Sequence, residues 1–378
     1  MSLSSGTSAA PMAPRPPLPA NLVSLFAQAL QRYQASNTAF RVLCSVTSSS
    51  VPPTTEEQLL APQSPRVLPR TLLILDSSFN PPTLAHQRMA LTALEDEDAA
   101  NRRDNDGPKP DAETQTKRGS RVLLLLATNN ADKAPKPAAF PQRLAMMYIF
   151  ARDLLARRAG SHSPHPKQKQ GGEIGGGGAE DAGDAVDIGV TTEPYFHAKS
   201  GAVAASDFYG GAAPTETETE TEKKGGGRGG EEGERDMTQV YLTGFDTLIR
   251  ILDPKYYGHS AAAMAAVLDP LFARARLRVA NRTDAGWGSA AEQAAYLERL
   301  RRGGGGGAAG EAAAADTARW ARRIEMVEGR GEGDAVVSST KVRDAVHARD
   351  WHALRALVSE DVAAWIRAQG LYSEEGGA

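Results

Sequence analysis

Short apolar runs recur along the 378-residue chain, and most are followed by a stretch in which apolar residues return every three or four positions. The runs predict strands at 40–46, 71–75, 121–127, 186–190, 239–243, 276–280 and 324–328. The periodic stretches predict helices at 21–33, 83–95, 141–157, 199–209, 246–252, 262–271, 340–348, 351–357 and 360–369. Short β-branched or Leu-rich strands alternating with helices imply an α/β fold. The expected architecture is a Rossmann-like, doubly wound, mostly parallel sheet with helices on both faces. In such sheets ligands bind outside the carboxyl ends of the strands, so each strand–helix turn is a candidate site.

Between these elements lie segments of a different character. Residues 1–20 are rich in Pro, Ser and Ala, and 101–120, 160–183, 210–235 and 303–315 are charged, glycine-rich or both. Such compositions cannot bury enough apolar surface to offset chain entropy, so a disordered tail and four surface insertions are expected. Setting them aside leaves about 270 residues, the size of one large domain spanning 21–373. The glycine runs lack a flanking strand, a following helix and the Lys-Ser/Thr of a phosphate loop, and are set aside as sites.

Composition narrows the function classes. Lys and Arg number 43 against 46 Asp and Glu, for a formal charge of −3. That balance gives no basic field for nucleic acid or an anionic membrane surface. The single cysteine, Cys44, excludes an internal disulfide or a thiolate metal cluster and fits a reducing compartment. No apolar run approaches the ~20 residues of a membrane span. The first 55 residues contain no Asp or Glu, as in a mitochondrial transit peptide. Yet Arg15, Arg32 and Arg41 are sparse for one, and the first helix runs straight into a strand. Cytoplasm or nucleus is therefore expected rather than mitochondria. Helical faces alone do not fix the oligomeric state.

Two strand–helix turns carry phosphate chemistry. After the strand at 71–75, Asp76 is followed by Ser77, Ser78, Phe79, Asn80, two prolines, Thr83, Leu84, Ala85 and His86. Small serines let backbone amides approach a ligand, and the prolines force a turn. Thr83 suits an N-cap, which puts His86 in the first helical turn, where free amides and the dipole favour an anion. Near the other end, Ser338, Ser339, Thr340, Lys341 and Arg343 gather hydroxyls and cations at a second helix start. Either string alone would also read as a capped helix with solvated polar residues. Together, one near each end of the domain, they point to a phosphate site.

The string Ser-Phe-Asn-Pro-Pro-Thr-Leu-Ala-His resembles the signature of nucleotidyltransferases of the HxGH type, in which a Ser-Phe-Asn/Asp-Pro turn leads to a (His/Thr)-x-x-His pair. Ser-Ser-Thr-Lys-Val-Arg at 338–343 resembles the same superfamily's Ser-Ser-Thr-x-x-Arg motif. The whole pattern is most similar to nicotinamide-mononucleotide adenylyltransferases, in particular a fungal branch of that family. The resemblance implies that His86 contacts the ATP phosphates and stabilises the transferring group, with Arg343 as its catalytic companion. Ser77, Ser78, Phe79, Asn80 and Thr83 would then line the phosphate turn. Ser338, Ser339, Thr340 and Lys341 would lie with Arg343 at the β- and γ-phosphates. Gly244 and Asp246 resemble the family's strand-end Gly-x-Asp, and Arg282 resembles an arginine that contacts the nucleotide. Lys133 or Lys136, with Arg143, would hold the mononucleotide phosphate. Read without the family, Gly244 and Asp246 are a strand exit with a cap, Lys133 and Lys136 solvated loop charges, and Arg143 a surface ion pair.

Two departures stand out. Ser77 occupies the place of the family's usual glycine. The family's Val-x-x-Trp-Glu, whose Trp stacks on the pyridine ring, appears as Val190-Thr-Thr-Glu193, leaving Tyr195 or Phe196 to supply that face. The expected reaction joins ATP and nicotinamide mononucleotide, or its nicotinate form, to give NAD (or its nicotinate analogue) and pyrophosphate. Mg²⁺ is expected on the triphosphate, with no separate protein metal site. The alternatives are transfer to a different phosphate acceptor and an ATP-binding or ATP-hydrolysing regulatory protein.

Overall fold

The computed structural model describes residues 17–48, 55–105, 118–129, 138–161, 185–210, 237–282, 286–304, 310–329 and 336–373. The chain opens with α1 (Leu22–Gln34), β1 (Phe40–Thr47) and a single-turn α2 (Glu56–Leu59). Three strand–helix units follow: β2 (Thr71–Asp76) with α3 (Leu84–Asn105), β3 (Ser120–Ala127) with α4 (Phe140–Ser161), and β4 (Ala185–Thr191) with α5 (Phe196–Ala204). Next come β5 (Thr238–Gly244), α6 (Phe245–Ile251), α7 (Ala261–Arg274) and β6 (Ala275–Ala280). After α8 (Ala290–Arg301), α9 (Gly310–Ala321) and β7 (Ile324–Val327), the described chain ends in α10 (Ser339–His347), α11 (Trp351–Arg355) and α12 (Glu360–Ala368).

The strands form one sheet in the order β1-β4-β3-β2-β5-β6-β7. β1 runs antiparallel to β4, and every other pair is parallel. From β2 the chain first winds outward through β3 and β4, then returns to β5 on the other side of β2. That reversal makes the doubly wound pattern and opens a crevice between the carboxyl ends of β2 and β5.

Apolar runs with no polar alternation bury both faces of the central strands. Leu73, Leu75, Val122, Leu124 and Leu126 join one core with Phe26 of α1, Leu94 of α3, Leu144 of α4 and Val342 of α10. Their neighbours Leu72, Ile74, Leu123 and Leu125 face the second core, with Val203 of α5, Leu248 of α6, Leu268 of α7 and Trp320 of α9. The period of two along each strand thus divides the helices between the two faces.

Several boundaries differ from those read in the sequence. The insertion expected at 101–120 begins later, because α3 continues to Asn105. Residues 310–315, expected as loop, are the first half of α9; alanine has the highest helix propensity and needs only a buried Trp320 to anchor it. α8, which the sequence reading passed over, starts at a Ser289/Glu292 capping box. α5 lies three residues earlier than expected at its start and ends at Ala204. The bulk of the insertions expected at 160–183 and 210–235 lies outside the described residues.

At the amino ends of β3 and β4, fully buried Asp187 accepts from Arg121 Nε (2.6 Å) and Nη2 (2.7 Å), Ser45 Oγ (2.6 Å) and the Tyr209 hydroxyl (2.8 Å). Burial, and then the neighbouring Asp187, push the Tyr209 hydroxyl well above its ordinary range. Removing one partner of such a pair strands the other charge in a medium that cannot solvate it. Asp187→Ala is expected to cost about 3–5 kcal/mol, read as a lower urea midpoint with an unchanged slope.

Candidate active site

The turn after β2 lies at the crevice, and His86 organises it. Thr83 precedes α3, and His86 Nδ1 faces the Thr83 backbone N–H (3.0 Å) and hydroxyl (2.8 Å). This is the reach-back half of a capping box, made by an imidazole. Because a backbone N–H only donates, Nδ1 is the acceptor and the ring proton sits on Nε2. Nε2 lies 3.0 Å from Ser77 Oγ, so a neutral imidazole offers its proton at the phosphate turn. Burial lowers the His86 pKa to about 4. Phe79 backs the ring at 5.5 Å between centroids, fully buried, with a left-handed backbone (φ 45°) that its burial holds in place. Ser78 is exposed at the tip.

α10 docks directly on this turn. Arg343 Nη1 donates to the Asn80 carbonyl (2.8 Å), and Nη2 donates to Thr340 Oγ1 (3.1 Å). Ser339 Oγ donates to the Pro81 carbonyl (2.8 Å). Ser338 caps the helix by accepting from the Lys341 amide (3.3 Å), and the Lys341 side chain stands exposed. Two motifs from opposite ends of the domain are therefore one surface, with the α10 amides and the α3 amides on adjoining sides.

Asn80 and Arg143 complete the wall from within. Buried Asn80 spends Oδ1 on the Ala138 amide (3.0 Å) and the Tyr372 hydroxyl (2.9 Å). Arg143 is also buried, donates from Nε to the Ala138 carbonyl (2.8 Å) and lies 4.7 Å over the Phe140 ring. Burial pulls its pKa down, Tyr372 opposes that, and nearby Arg343 adds to it. Lys133 and Lys136 fall outside the described residues.

On the far side of the crevice, Gly244 ends β5 and Asp246 lies in the first turn of α6, where its Oδ1 meets Arg282 Nη1 at 3.0 Å. A Cβ on Gly244 would fall 2.7 Å from Asp246 Oδ1, so any side chain there would push that carboxylate aside. Gln293, buried on α8, holds the Arg282 loop by accepting from the Arg282 amide (3.1 Å). Gln87 Nε2 in the first turn of α3, Thr243 Oγ1 near the end of β5 and Asn281 Oδ1 just after β6 are buried without a hydrogen-bond partner. This edge of the sheet thus keeps polar capacity that internal contacts leave unused.

Tyr195 and Phe196 start α5. Tyr195 is 43% exposed and stacks on His197 (5.7 Å, 6°), whereas Phe196 packs edge-on against Tyr241 at 5.3 Å. Burial lowers the His197 pKa, with Glu193 opposing. One turn along, Lys199 forms a buried ion pair with Asp76. The sequence reading missed this pair; Asp76 adjoins the first motif, but nothing near Lys199 signals a partner 123 positions away.

What the arrangement can do follows from what the joined turns bring together: hydroxyls, helix-start amides, a neutral imidazole and the Arg343 guanidinium, a set that suits a polyphosphate. Among the described residues no group of three or more His, Cys, Asp or Glu could hold a metal ion. A cavity of about 500 Å³ lies elsewhere, at the amino ends of β6 and β7, where Arg276 and Arg301 already pair with Glu97 and Glu298.

The strand order defines the class of fold, a doubly wound α/β sheet with two helix-start turns joined at its carboxyl edge. Over most of its length the chain resembles the nicotinamide-mononucleotide adenylyltransferase family. A Schizosaccharomyces pombe protein, provisionally named as a nicotinamide mononucleotide adenylyltransferase, is 26% identical over 306 residues, covering 81% of this chain and 88% of the relative. No family model matches the chain. Among solved structures, Plasmodium falciparum nicotinic acid mononucleotide adenylyltransferase complexed with NaAD matches at TM-score 0.35 and 11% identity, covering 80% of this chain and 97% of that one. Thermotoga maritima TmcAL bound with alpha-thio ATP matches at TM-score 0.31 and 14% identity, covering 79% and 56%. Likenesses this low add nothing to the fold read from the strand order.

The lowered His86 pKa has a thermodynamic consequence. The unfolded chain takes up a proton near pH 6.5, whereas the folded one resists until about 4. The stability contributed by neutral His86 is therefore present above pH 6.5 and lost as pH falls from there to 4. Urea midpoints measured across that window should decline in the wild type, and less steeply in His86→Gln.

Proposed function

We propose that the protein is an adenylyltransferase that joins ATP to nicotinamide mononucleotide, giving NAD and pyrophosphate. The observation that carries this reading is the docking of Ser339 and Arg343 on the Asn80–Pro81 carbonyls, beside the His86 imidazole. An oxygen of the mononucleotide 5′-phosphate attacks the α-phosphorus of ATP. The new P–O bond forms as the α–β bridging P–O bond breaks, and pyrophosphate departs with that electron pair. The attacking group is already an anion at neutral pH, so the protein supplies position and charge stabilisation rather than a base. His86 Nε2–H donates to the transferring phosphoryl group, and Arg343 with the α10 hydroxyls and amides receives the departing phosphates. Mg²⁺ would neutralise phosphate charge when bound; the donor set here is made for anions, so its ligands would be phosphate oxygens rather than a carboxylate cage.

Acceptor choice is read from α5. Tyr195, exposed and already stacked on an imidazole, offers the planar face for a pyridine ring, with Arg143 for the phosphate side. The test is a coupled assay: MgATP and nicotinamide or nicotinate mononucleotide are supplied, and dinucleotide formation is followed. His86→Ala should lower kcat by about 100- to 1,000-fold while changing KM for ATP much less. Unchanged kcat would remove His86 from the transition state. ATP binding without product from either mononucleotide would point to a different acceptor.

A further inference from the structure

The buried Asp76–Lys199 pair lies at the site yet takes no part in the bond-making and bond-breaking of the transfer. Asp76 is the last residue of β2, directly before Ser77, whose hydroxyl meets His86. An uncompensated carboxylate there would repel a polyphosphate. Lys199 answers it from α5, on an element that follows β4, two strands away in the sheet. Its Nζ lies 2.5 Å from Asp76 Oδ2, and the two side chains are only 7% and 6% exposed. Taking both ions out of water costs about as much as their attraction returns, so stability alone gives little reason for the pair. The same ammonium stands 5.2 Å over the Phe196 ring, and Phe196 meets Tyr241 of β5. Asp76, Lys199, Phe196 and Tyr241 thus form one chain of contacts from the phosphate turn to the start of α5.

We propose that Lys199 is a positioning residue of the transfer site: it cancels the Asp76 charge beside the phosphate turn and fixes the helix bearing Tyr195 and Phe196 against that turn. The proposal rests on reading the turn as a phosphate site. Its first consequence is electrostatic and is read without any acceptor, by calorimetric titration of MgATP at low and high salt. Lys199→Met should raise the MgATP Kd about tenfold or more, and more strongly at low salt. Asp76→Asn combined with Lys199→Met, which leaves neither charge, should return the Kd to within about threefold of wild type. Asp76→Asn alone, with the cation retained, should bind MgATP as tightly as wild type or more tightly.

Thermal unfolding of each variant separates this from a purely structural pair, which would lower Tm without the reversal in Kd. If Lys199→Met does not fold, the double variant and Asp76→Asn carry the test. Unchanged MgATP affinity in folded Lys199→Met, or a double variant that binds clearly more weakly than wild type, overturns the proposal. Failure of the acceptor reading would look different: MgATP binding intact and no dinucleotide formed. A wild-type protein that binds no MgATP overturns both.

Discussion

Arg343 reaches the carbonyl of Asn80 across 263 positions of sequence, and Ser339 reaches that of Pro81 across 258. This contact sets α10 against the turn between β2 and α3, and much of the crevice follows from it. Asn80 then uses its side chain to hold Tyr372 beyond α12 and Ala138 ahead of α4. Four segments distant in sequence are thereby fixed around one buried amide and one guanidinium. Hydrogen bonds to charged donors in a partly buried setting are the stronger kind, which suits a joint that orients two helix starts toward the same ligand.

The electrostatics of that joint are one-sided by design of its pairings. Two carboxylates at the carboxyl edge, Asp76 and Asp246, each face a cation, Lys199 and Arg282. Arg143 and Arg343 lie close enough for one to lower the pKa of the other. Neutral His86 adds a donor without adding charge. At the same edge Gln87 Nε2, Thr243 Oγ1 and Asn281 Oδ1 are buried without a hydrogen-bond partner.

Much of the sheet was legible in the chain itself. Leu72 to Leu75 and Val122 to Leu126 are apolar without interruption, short and rich in Leu, Ile and Val, as suits a strand buried on both faces. Helix limits were less legible. Alanines in 310–315 read as filler, because their helical preference is expressed only where Trp320 gives the helix something to pack on. The start of α5 was missed because Tyr195 and Phe196 carry no side-chain cap; tertiary contacts of Phe196 and Lys199 place it instead.

By itself the sequence determined the alternation of elements, hence an α/β sheet, and the two turns whose residue types suit phosphate. Local chemistry was enough for that: prolines fix φ, hydroxyls cap helices, and apolar runs seek burial wherever the chain goes. Only the tertiary structure decided that those turns meet, that His86 is neutral with its proton on Nε2, and that Asp76 is silenced by Lys199. Each of these depends on distances between residues far apart in the chain and on how little water reaches them. Neither quantity is written in the order of residues; both arise when the sheet closes and the helices settle on its two faces.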